Sequence, residues 1–249
     1  MIVYSNSCSF GASGQGHDIY PELVANHFDA QLINKGRPGS CNRRIVRTTV
    51  RDLLELKEKH HSDRMLCLLG LSFISRTELW QPSIPAVDND GNFHPITVDH
   101  LKFDWTQGLV DTLIPDIHLT LPTEVQEYYK NWLINMSKES IITDLLADII
   151  MLEQFCSQSN IRVLIWSNAQ LWPGKPEVAI DDIFIKPFVN KILNSPSVID
   201  PWKFCFLDYA LSQGYRPKDE HKYGTTGHPG QFAHKDFSQY LIKHLERTL

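Results

Sequence analysis

Two apolar runs constrain the fold of this chain more than any other feature. They lie at residues 65–71 (MLCLLGL) and 161–166 (IRVLIW), and nearly continuous runs of this kind are typical of strands that are covered on both faces. Shorter candidate strands lie at residues 2–4, 30–33 and 197–200, and amphipathic segments that are typical of helices separate the runs. Strands that alternate with helices predict a parallel sheet with helices on both faces. We therefore expect a three-layer α/β/α fold with a flavodoxin-like parallel sheet of about five strands.

One stretch, residues 72–122, breaks this alternation. It contains several prolines, and an Asn89-Asp90-Gly91 turn signal lies between short apolar pieces. The pattern predicts an insertion with a hairpin around that turn. Because the insertion leaves from the carboxyl end of the third strand, it either shapes the substrate site or is a surface loop without a function. With no repeat and no linker in the sequence, we expect residues 1–249 to form one domain.

The composition excludes several classes of function. Hydrophobic residues make up 42% of the chain and charged residues 21%, which is typical of a soluble globular protein. The net charge of -5 gives no electrostatic reason to expect a nucleic-acid partner, and the basic run Arg43, Arg44, Arg47 and Arg51 is expected to be a solvated helix face. No apolar stretch approaches the roughly 20 residues that span a bilayer, and no amino-terminal signal is visible, so we expect a cytoplasmic protein without a membrane partner.

The cysteines and the first turn exclude further sites. The number of cysteines is odd, they are widely spaced and no CxxC pair occurs, which argues against disulfides and against a zinc site. They are Cys8, Cys41, Cys67, Cys156 and Cys205. The first turn has neither GxGxxG nor GxxxxGK[ST], so a nucleotide-binding domain is disfavoured. No metal and no cofactor are expected.

The first motif with chemical potential is YSNSCSFG at residues 4–11. A serine on a tight turn between a strand and a helix presents its hydroxyl above the sheet edge, where the helix amino terminus favours negative charge. The spacing to Gly11 makes Ser7 the candidate nucleophile. Cys8 is the alternative, because a thiolate is the stronger nucleophile, although a structural role is the preferred interpretation of this cysteine.

Two further motifs could stabilise an oxyanion. In residues 34–40 (NKGRPGS) a reacting carbonyl could approach the backbone N–H of Gly39. The alternative is a plain turn in which Ser40 caps the next helix. Residues 70–73 (GLSF) end the third strand, and Ser72 could add a second donor.

The last motif is GHPG at residues 227–230, directly before a predicted helix over residues 231–249. A histidine in this place can reach back to the sheet edge, so His228 could act as general base for Ser7 and as general acid to the leaving group. His221, two residues after Asp219, is the rival base. It ranks second because neither a proline nor a helix follows it.

Together, the order of these motifs resembles the SGNH or GDSL hydrolase family. In that family an early Gly-Asp-Ser turn carries the nucleophile, a glycine and an asparagine in later blocks build the oxyanion hole, and a late Asp-x-x-His block supplies the base. The resemblance runs from the first strand to the last helix, with residues 72–122 outside it. It implies the SGNH hydrolase fold, with Ser7 as nucleophile, Gly39 as oxyanion glycine and His228 as base.

The chain departs from the family pattern at three places. Ser5-Asn6 stands in place of Gly-Asp, Ser72 in place of the asparagine and Thr225 in place of the aspartate. A threonine cannot supply the negative charge that stabilises an imidazolium, so the site is either a Ser–His dyad or a triad with another carboxylate. The candidates for this orienting carboxylate are Asp208, Asp219 and Glu220.

Four residues near these motifs are candidates for substrate binding: Asn6, Arg76, Trp166 and Asn168. Arg76 at the start of the insertion could hold an anionic or carbonyl-bearing substrate. Three other tryptophans either offer a surface on which a sugar stacks or pack in the core. They are Trp80, Trp105 and Trp172.

These observations support three hypotheses about function. The first is an SGNH-type hydrolase whose substrate is a small molecule or a carbohydrate that carries an acyl or acetyl ester. The second is an acyltransferase, in which a sugar hydroxyl replaces water at the same site. The third is a catalytically impaired SGNH-like module that binds a glycan or a protein, since the family's asparagine and aspartate are replaced here.

Overall fold

A computed structural model describes the residues on which the following account rests. They are residues 1–13, 16–37, 40–61, 63–72, 74, 78–79, 96–97, 102–104, 109–111, 131, 138–169, 183, 185–215 and 228–247. The strands are β1 (Ile2–Ser7), β2 (Gln31–Asn34), β3 (Met65–Leu71), β4 (Glu78–Leu79), β5 (Ile96–Thr97), β6 (Lys102–Asp104), β7 (Leu109–Asp111) and β8 (Ile161–Ser167). The helices are α1 (Tyr20–His27), α2 (Asn42–Lys59), α3 (Lys138–Gln158), α4 (Lys186–Leu193), α5 (Phe206–Ser212) and α6 (Gln231–Arg247), with a 3-10 turn at Ser9–Gly11.

The central sheet is parallel, with the strand order β2-β1-β3-β8. The predicted fifth strand forms a short bridged edge beside β8. There, Ile199 N donates to Ile165 O at 2.8 Å, and Ile165 N donates to Ser197 O at 2.8 Å. This order is the flavodoxin-like one, and the predicted α/β fold is confirmed.

Two apolar cores cover the two faces of the sheet. One contains side chains of α2, α3 and α4, and the other contains side chains of α1, α5 and α6. All residues of β3 are buried, as its uninterrupted apolar run predicts for a strand that contributes to both cores. Each large aliphatic side chain buried in this way stabilises the fold by about 1.5–3 kcal/mol. On the outer face of α2, Arg43, Arg47 and Arg51 are exposed, as the solvated-face interpretation of the basic run predicts, while Arg44 is only partly exposed and its guanidinium donates to Ser40 Oγ at 2.8 Å.

Strand β1 is longer than predicted, and this changes the site. The polar residues Ser5, Asn6 and Ser7 continue the strand and pair with Leu68, Leu69 and Gly70 of β3. The sequence favours a turn here because serine and asparagine are common in turns. Pairing with a fully buried neighbouring strand overrides that preference, so the turn begins at Cys8 instead of before Ser7.

The predicted insertion at residues 72–122 contains two short antiparallel pairs. Strand β4 pairs with β5, and β6 pairs with β7. Antiparallel pairing of β4 with β5 is what a hairpin in this stretch requires, while the predicted turn itself, Asn89-Asp90-Gly91, lies outside the described residues. Within the described part of the chain, none of the helices combines the length and the apolar character needed to cross a membrane.

Candidate active site

The turn after β1 carries a serine whose side chain meets a histidine from the other end of the chain. His228 Nε2 lies 2.7 Å from Ser9 Oγ. Both residues are only partly buried. A serine hydroxyl within hydrogen-bond distance of an imidazole is the arrangement that activates a serine as a nucleophile.

The predicted meeting of Ser7 with His228 is therefore corrected, because the serine on the imidazole is Ser9. Ser7 is the last residue of β1 and is fully buried. Its hydroxyl donates to the backbone oxygen of Cys8 at 2.9 Å. The physical reason is the extra length of β1, which keeps Ser7 inside the sheet and makes Ser9, two residues later, the first partly exposed residue of the turn.

The Ser9 turn is a short 3-10 segment held by its own backbone. Gly11 N donates to Cys8 O at 3.2 Å, and Ala12 N donates to Ser9 O at 3.4 Å. Cys8 is fully buried, with its sulfur 3.8 Å from the Asn168 amide nitrogen. The turn thus directs Cys8 inward and leaves Ser9 partly exposed, in agreement with the structural interpretation of Cys8.

His228 stands directly before α6, as predicted. The helix starts with His234 N donating to Gly230 O at 3.0 Å. The His228 ring packs on Phe10, with ring centroids 5.2 Å apart. Phe10 is the next residue after Ser9, so one short turn supplies both the hydroxyl and an aromatic contact to the imidazole.

The second loop, after β2, is bonded to the Ser9 turn by Asn34, a role that the sequence does not indicate. Asn34 Nδ2 donates to Gly11 O at 2.9 Å and to Ser13 Oγ at 3.0 Å, while Asn34 Oδ1 accepts from Gly36 N at 2.9 Å. An asparagine at a strand end is too common to have signalled this. Gly39, the predicted oxyanion glycine, lies outside the described residues.

Ser40 precedes α2 without capping it. The residue at the cap position is Cys41, whose sulfur accepts from Arg44 N at 3.4 Å. Ser40 Oγ instead donates to Arg37 O at 2.8 Å and accepts from the Arg44 guanidinium at 2.8 Å. The capping alternative for Ser40 is therefore wrong, because its hydroxyl closes the loop before the helix.

Ser72 is held in place by another asparagine, Asn42, whose role the sequence does not indicate. Ser72 N donates to Asn42 Oδ1 at 2.6 Å, and Asn42 Nδ2 donates to Ser72 O at 3.0 Å. Both residues are buried. This pair joins the start of α2 to the end of β3. Whether Ser72 adds a donor to an oxyanion remains a prediction.

Asn6 does not lie in a substrate crevice. It is fully buried, and its amide nitrogen donates to Thr48 Oγ1 at 2.8 Å, to Thr49 Oγ1 at 3.1 Å and to Ile45 O at 3.2 Å. The predicted substrate-binding role of Asn6 is corrected, because strand alternation turns this side chain toward α2 and away from Ser9.

Trp166 and Asn168 are also core residues instead of substrate-binding ones. Both are fully buried. Trp166 Nε1 donates to Asn168 Oδ1 at 3.0 Å. The Trp166 ring meets the rings of Tyr20 and Phe237 edge to face, at centroid distances of 5.3 Å and 5.7 Å. Their polar atoms satisfy each other inside the fold, as buried polar groups generally must.

A buried hydroxyl group lies beneath the Ser9 turn. A Cβ atom added at Gly11 would overlap both Ser7 Oγ and the Tyr20 hydroxyl. Burial raises the pKa of Tyr20 well above its usual value, so the phenol stays neutral. Tyr20 N donates to His234 Nδ1 at 3.3 Å, and the two rings stack. Gly11 is thus required by the close approach of the turn to these two hydroxyls.

The orienting carboxylate and the cationic substrate group remain predictions. Asp208 lies in the first turn of α5, where its backbone N donates to Cys205 Sγ at 3.3 Å. The other predicted residues, Asp219, Glu220 and Arg76, and the rival base His221 lie outside the described residues. In the part of the chain that the structure describes, no three His, Cys, Asp or Glu side chains are grouped as a metal site would require.

Several solved hydrolase structures are similar to this chain at low identity. The esterase EstA from Pseudoalteromonas sp. is 12% identical with a TM-score of 0.49, and the match covers 99% of this chain and 97% of that one. A protein of Bacteroides fragilis NCTC 9343 that is named as a candidate acylhydrolase is 10% identical with a TM-score of 0.40, covering 99% and 87%.

The α/β hydrolase LAE5, from the metagenome of Lake Arreo in Spain, is 12% identical with a TM-score of 0.42, covering 98% of this chain and 94% of that one. At these sequence identities and TM-scores, the similarity does not indicate a function for this chain. No curated protein matches the sequence.

A family model gives a more specific result. Residues 13–168 match the model of DUF6071, which is a family of unknown function. This range contains β2, β3 and β8 but neither Ser9 nor His228. It makes up more than half of the chain, and the chain therefore belongs to the DUF6071 family.

Proposed function

We propose that this protein is an SGNH-type serine hydrolase that cleaves an ester, with Ser9 as nucleophile and His228 as general base. The observation that carries the proposal is the 2.7 Å separation between Ser9 Oγ and His228 Nε2. The position of the pair supports it too. Ser9 follows the carboxyl end of a central parallel strand, where open α/β sheets bind their ligands.

The chemistry follows from this pair. Ser9 Oγ attacks the acyl carbonyl carbon while His228 Nε2 takes the hydroxyl proton. The tetrahedral intermediate collapses, the bond to the leaving oxygen breaks, and His228 returns the proton to that oxygen, so that an alcohol leaves. A water molecule then attacks the acyl-enzyme, His228 takes a proton from it, and the acid is released as Ser9 recovers its hydrogen.

The developing oxyanion needs donors that are fixed before the reaction starts. In this proposal they are the backbone N–H groups of Ser9 and Gly39, with Ser72 as a third contributor. The bonds of Asn34 to both Gly11 and Gly36 support the arrangement, because they hold the Ser9 turn next to the loop that leads to Gly39.

For the substrate we propose an acyl or acetyl ester on a carbohydrate or another small molecule. A sugar hydroxyl in place of water would make the same site an acyltransferase. The two reactions share the acyl-enzyme, so they differ only in the acceptor. Product analysis with and without added sugar distinguishes them.

The test of the proposed function is covalent labelling with a fluorophosphonate, together with hydrolysis of p-nitrophenyl acetate. We expect the wild type to be labelled on Ser9, as mass spectrometry of the labelled peptide would show. Ser9→Ala should lose both labelling and hydrolysis, and His228→Gln should lose most of both.

Equal activity in the wild type and Ser9→Ala would overturn the Ser9 mechanism. Loss of activity in Ser7→Ala alone would make Ser7 the candidate nucleophile again. A wild type with neither labelling nor hydrolysis would favour the binding-module hypothesis.

A further inference from the structure

The last residue of β2, Asn34, uses its whole side-chain amide to join two loops. Its nitrogen donates to Gly11 O at 2.9 Å and to Ser13 Oγ at 3.0 Å, and its oxygen accepts from Gly36 N at 2.9 Å. Gly11 and Ser13 belong to the segment that follows Ser9, and Gly36 belongs to the loop after β2. One amide thus satisfies groups on both sides of the boundary between the two loops.

The two loops lie so close at Gly36 that no side chain fits between them. A Cβ atom added at Gly36 would lie 2.6 Å from the carbonyl oxygen of Gly11, a distance that real Cβ contacts do not show. Two further backbone bonds extend the β1–β2 contact past Asn34. Lys35 N donates to Ser5 O at 2.8 Å, and Arg37 N donates to Ser7 O at 3.0 Å.

Gly11 connects this contact to the candidate nucleophile. It is the last residue of the 3-10 turn that starts at Ser9. Its N–H donates inward to Cys8 O at 3.2 Å, while its carbonyl accepts outward from Asn34. A shift of the Gly11 carbonyl would therefore move the backbone of Ser9, and with it the hydroxyl that meets His228.

We propose that Asn34 is a positioning residue that fixes the Ser9 turn against the loop after β2, at the place where Ser9 Oγ meets His228 Nε2. The kinetic part of this inference rests on the proposed function of Ser9. The geometric part, that Asn34 sets the contact between Ser9 and His228, holds with or without hydrolysis, and the two parts have separate readouts.

The chemistry of the side chain gives the critical variants. Asn34→Asp keeps the shape but replaces both donated hydrogens by a carboxylate oxygen, which repels the Gly11 carbonyl. Asn34→Ala removes all three bonds without adding a charge. Gly36→Ala keeps Asn34 and pushes the loops apart. The matched control is Asn194→Asp, since Asn194 Nδ2 also donates to a backbone oxygen, that of Asn190 at 2.8 Å, at the exposed end of α4.

The first readout is the hydrolysis of p-nitrophenyl acetate, resolved into kcat and KM. A nucleophile misplaced by about 1 Å can lose up to roughly 100-fold in rate. We expect kcat to fall roughly 10- to 100-fold in Asn34→Asp, Asn34→Ala and Gly36→Ala, with KM nearly unchanged. Asn194→Asp should keep the wild-type kcat. Wild-type kcat in all three loop variants would overturn the kinetic part of the proposal.

The second readout needs no turnover. It is the NMR signal of the His228 ring, compared among the wild type, Ser9→Ala and Asn34→Ala, with Asn34→Asp in place of a poorly folded Asn34→Ala. We expect Asn34→Ala to move the ring signal toward its position in Ser9→Ala, and Asn194→Asp to leave it unchanged. A ring signal that stays at the wild-type position overturns the positioning role. A shifted signal in a protein that hydrolyses nothing keeps the positioning role and removes the proposed function.

Discussion

The end of β1 and the turn that follows it contain similar polar residues in opposite environments. In residues 5–7 the polar side chains are fully buried, and Asn6 and Ser7 bond inside the fold. In the turn, Ser9 is partly exposed and meets His228. A polar motif beside a strand therefore does not by itself locate a site. The residue at which pairing with the neighbouring strand stops decides which hydroxyl lies outside the sheet.

Removing each serine in turn should give the largest difference between the strand end and the turn. We expect Ser9→Ala to lose at least about 10³-fold in esterase activity, because nucleophile and base act as a unit. Ser7→Ala should stay within about threefold of the wild type and should lower the free energy of unfolding by about 1 kcal/mol, the typical contribution of one hydrogen bond. Initial rates and urea unfolding of both variants measure this contrast, which a large rate loss in Ser7→Ala would contradict.

Gly11→Ala tests the contact between the two regions. The added methyl group would overlap the hydroxyls of Ser7 and Tyr20. The Tyr20 ring cannot retreat, because Trp166, Phe206 and Phe237 surround it edge to face. We expect a loss of roughly 3 kcal/mol in the free energy of unfolding, as is usual for overpacking.

Part of that loss should be recovered in the Tyr20→Phe background, where one of the two overlapping oxygens is absent. A double-mutant cycle followed by urea unfolding gives the coupling between the two positions. If the two changes are additive, the Gly11 backbone does not depend on the hydroxyl beneath it.

Asn6→Ala addresses the strand end alone. The change removes bonds to Thr48, Thr49 and Ile45 on α2. We expect the free energy of unfolding to fall by about 1–2 kcal/mol, because buried partners lose their donor. Labelling by a fluorophosphonate should proceed at the wild-type rate. If Asn6→Ala were labelled slowly at an unchanged free energy of unfolding, Asn6 would be a substrate-binding residue after all.

The smallest effect is expected at Cys8, next to the proposed nucleophile. Cys8→Ala should keep esterase activity within about threefold, because the sulfur is buried and the nucleophile that we propose is Ser9. All five cysteines are free and buried, and burial raises the pKa of Cys156 and Cys205 to about 12.

The native protein should therefore resist a thiol reagent at pH 8 and react at all five cysteines only when denatured. A spectrophotometric thiol titration with and without denaturant gives the number of reactive cysteines in the denatured and in the native protein. Rapid modification of one native thiol, together with loss of activity, would make Cys8 the rival nucleophile again.

The sequence predicts the scaffold well, because the scaffold follows from apolar pattern. The run at residues 65–71 coincides with β3, and the motif GHPG places His228 directly before α6. The sequence does not identify Ser9, because Ser5, Asn6 and Ser7 have turn preferences that strand pairing overrides. Trp166 and Asn168 lie at a strand end in the sequence, and only the fold shows that both are buried.

Asn34 and Asn42 make contacts that the sequence does not predict. Each bonds to backbone atoms of a distant segment, Gly11 and Ser72 respectively. Backbone partners leave no complementary residue type to search for. Contacts of this kind become visible only when the loops are placed side by side.

The contact between Ser9 and His228 joins positions 219 residues apart. Contacts of such high sequence separation close late in folding, because a long loop must be ordered before they form. While the chain is being synthesised, β1 and its turn are complete long before the imidazole exists, and docking of α6 then brings His228 to Ser9. If Ser9 is the nucleophile that we propose, a nascent or carboxyl-terminally clipped chain would carry an unactivated serine, and reactivity toward a fluorophosphonate would report that the last helix has docked.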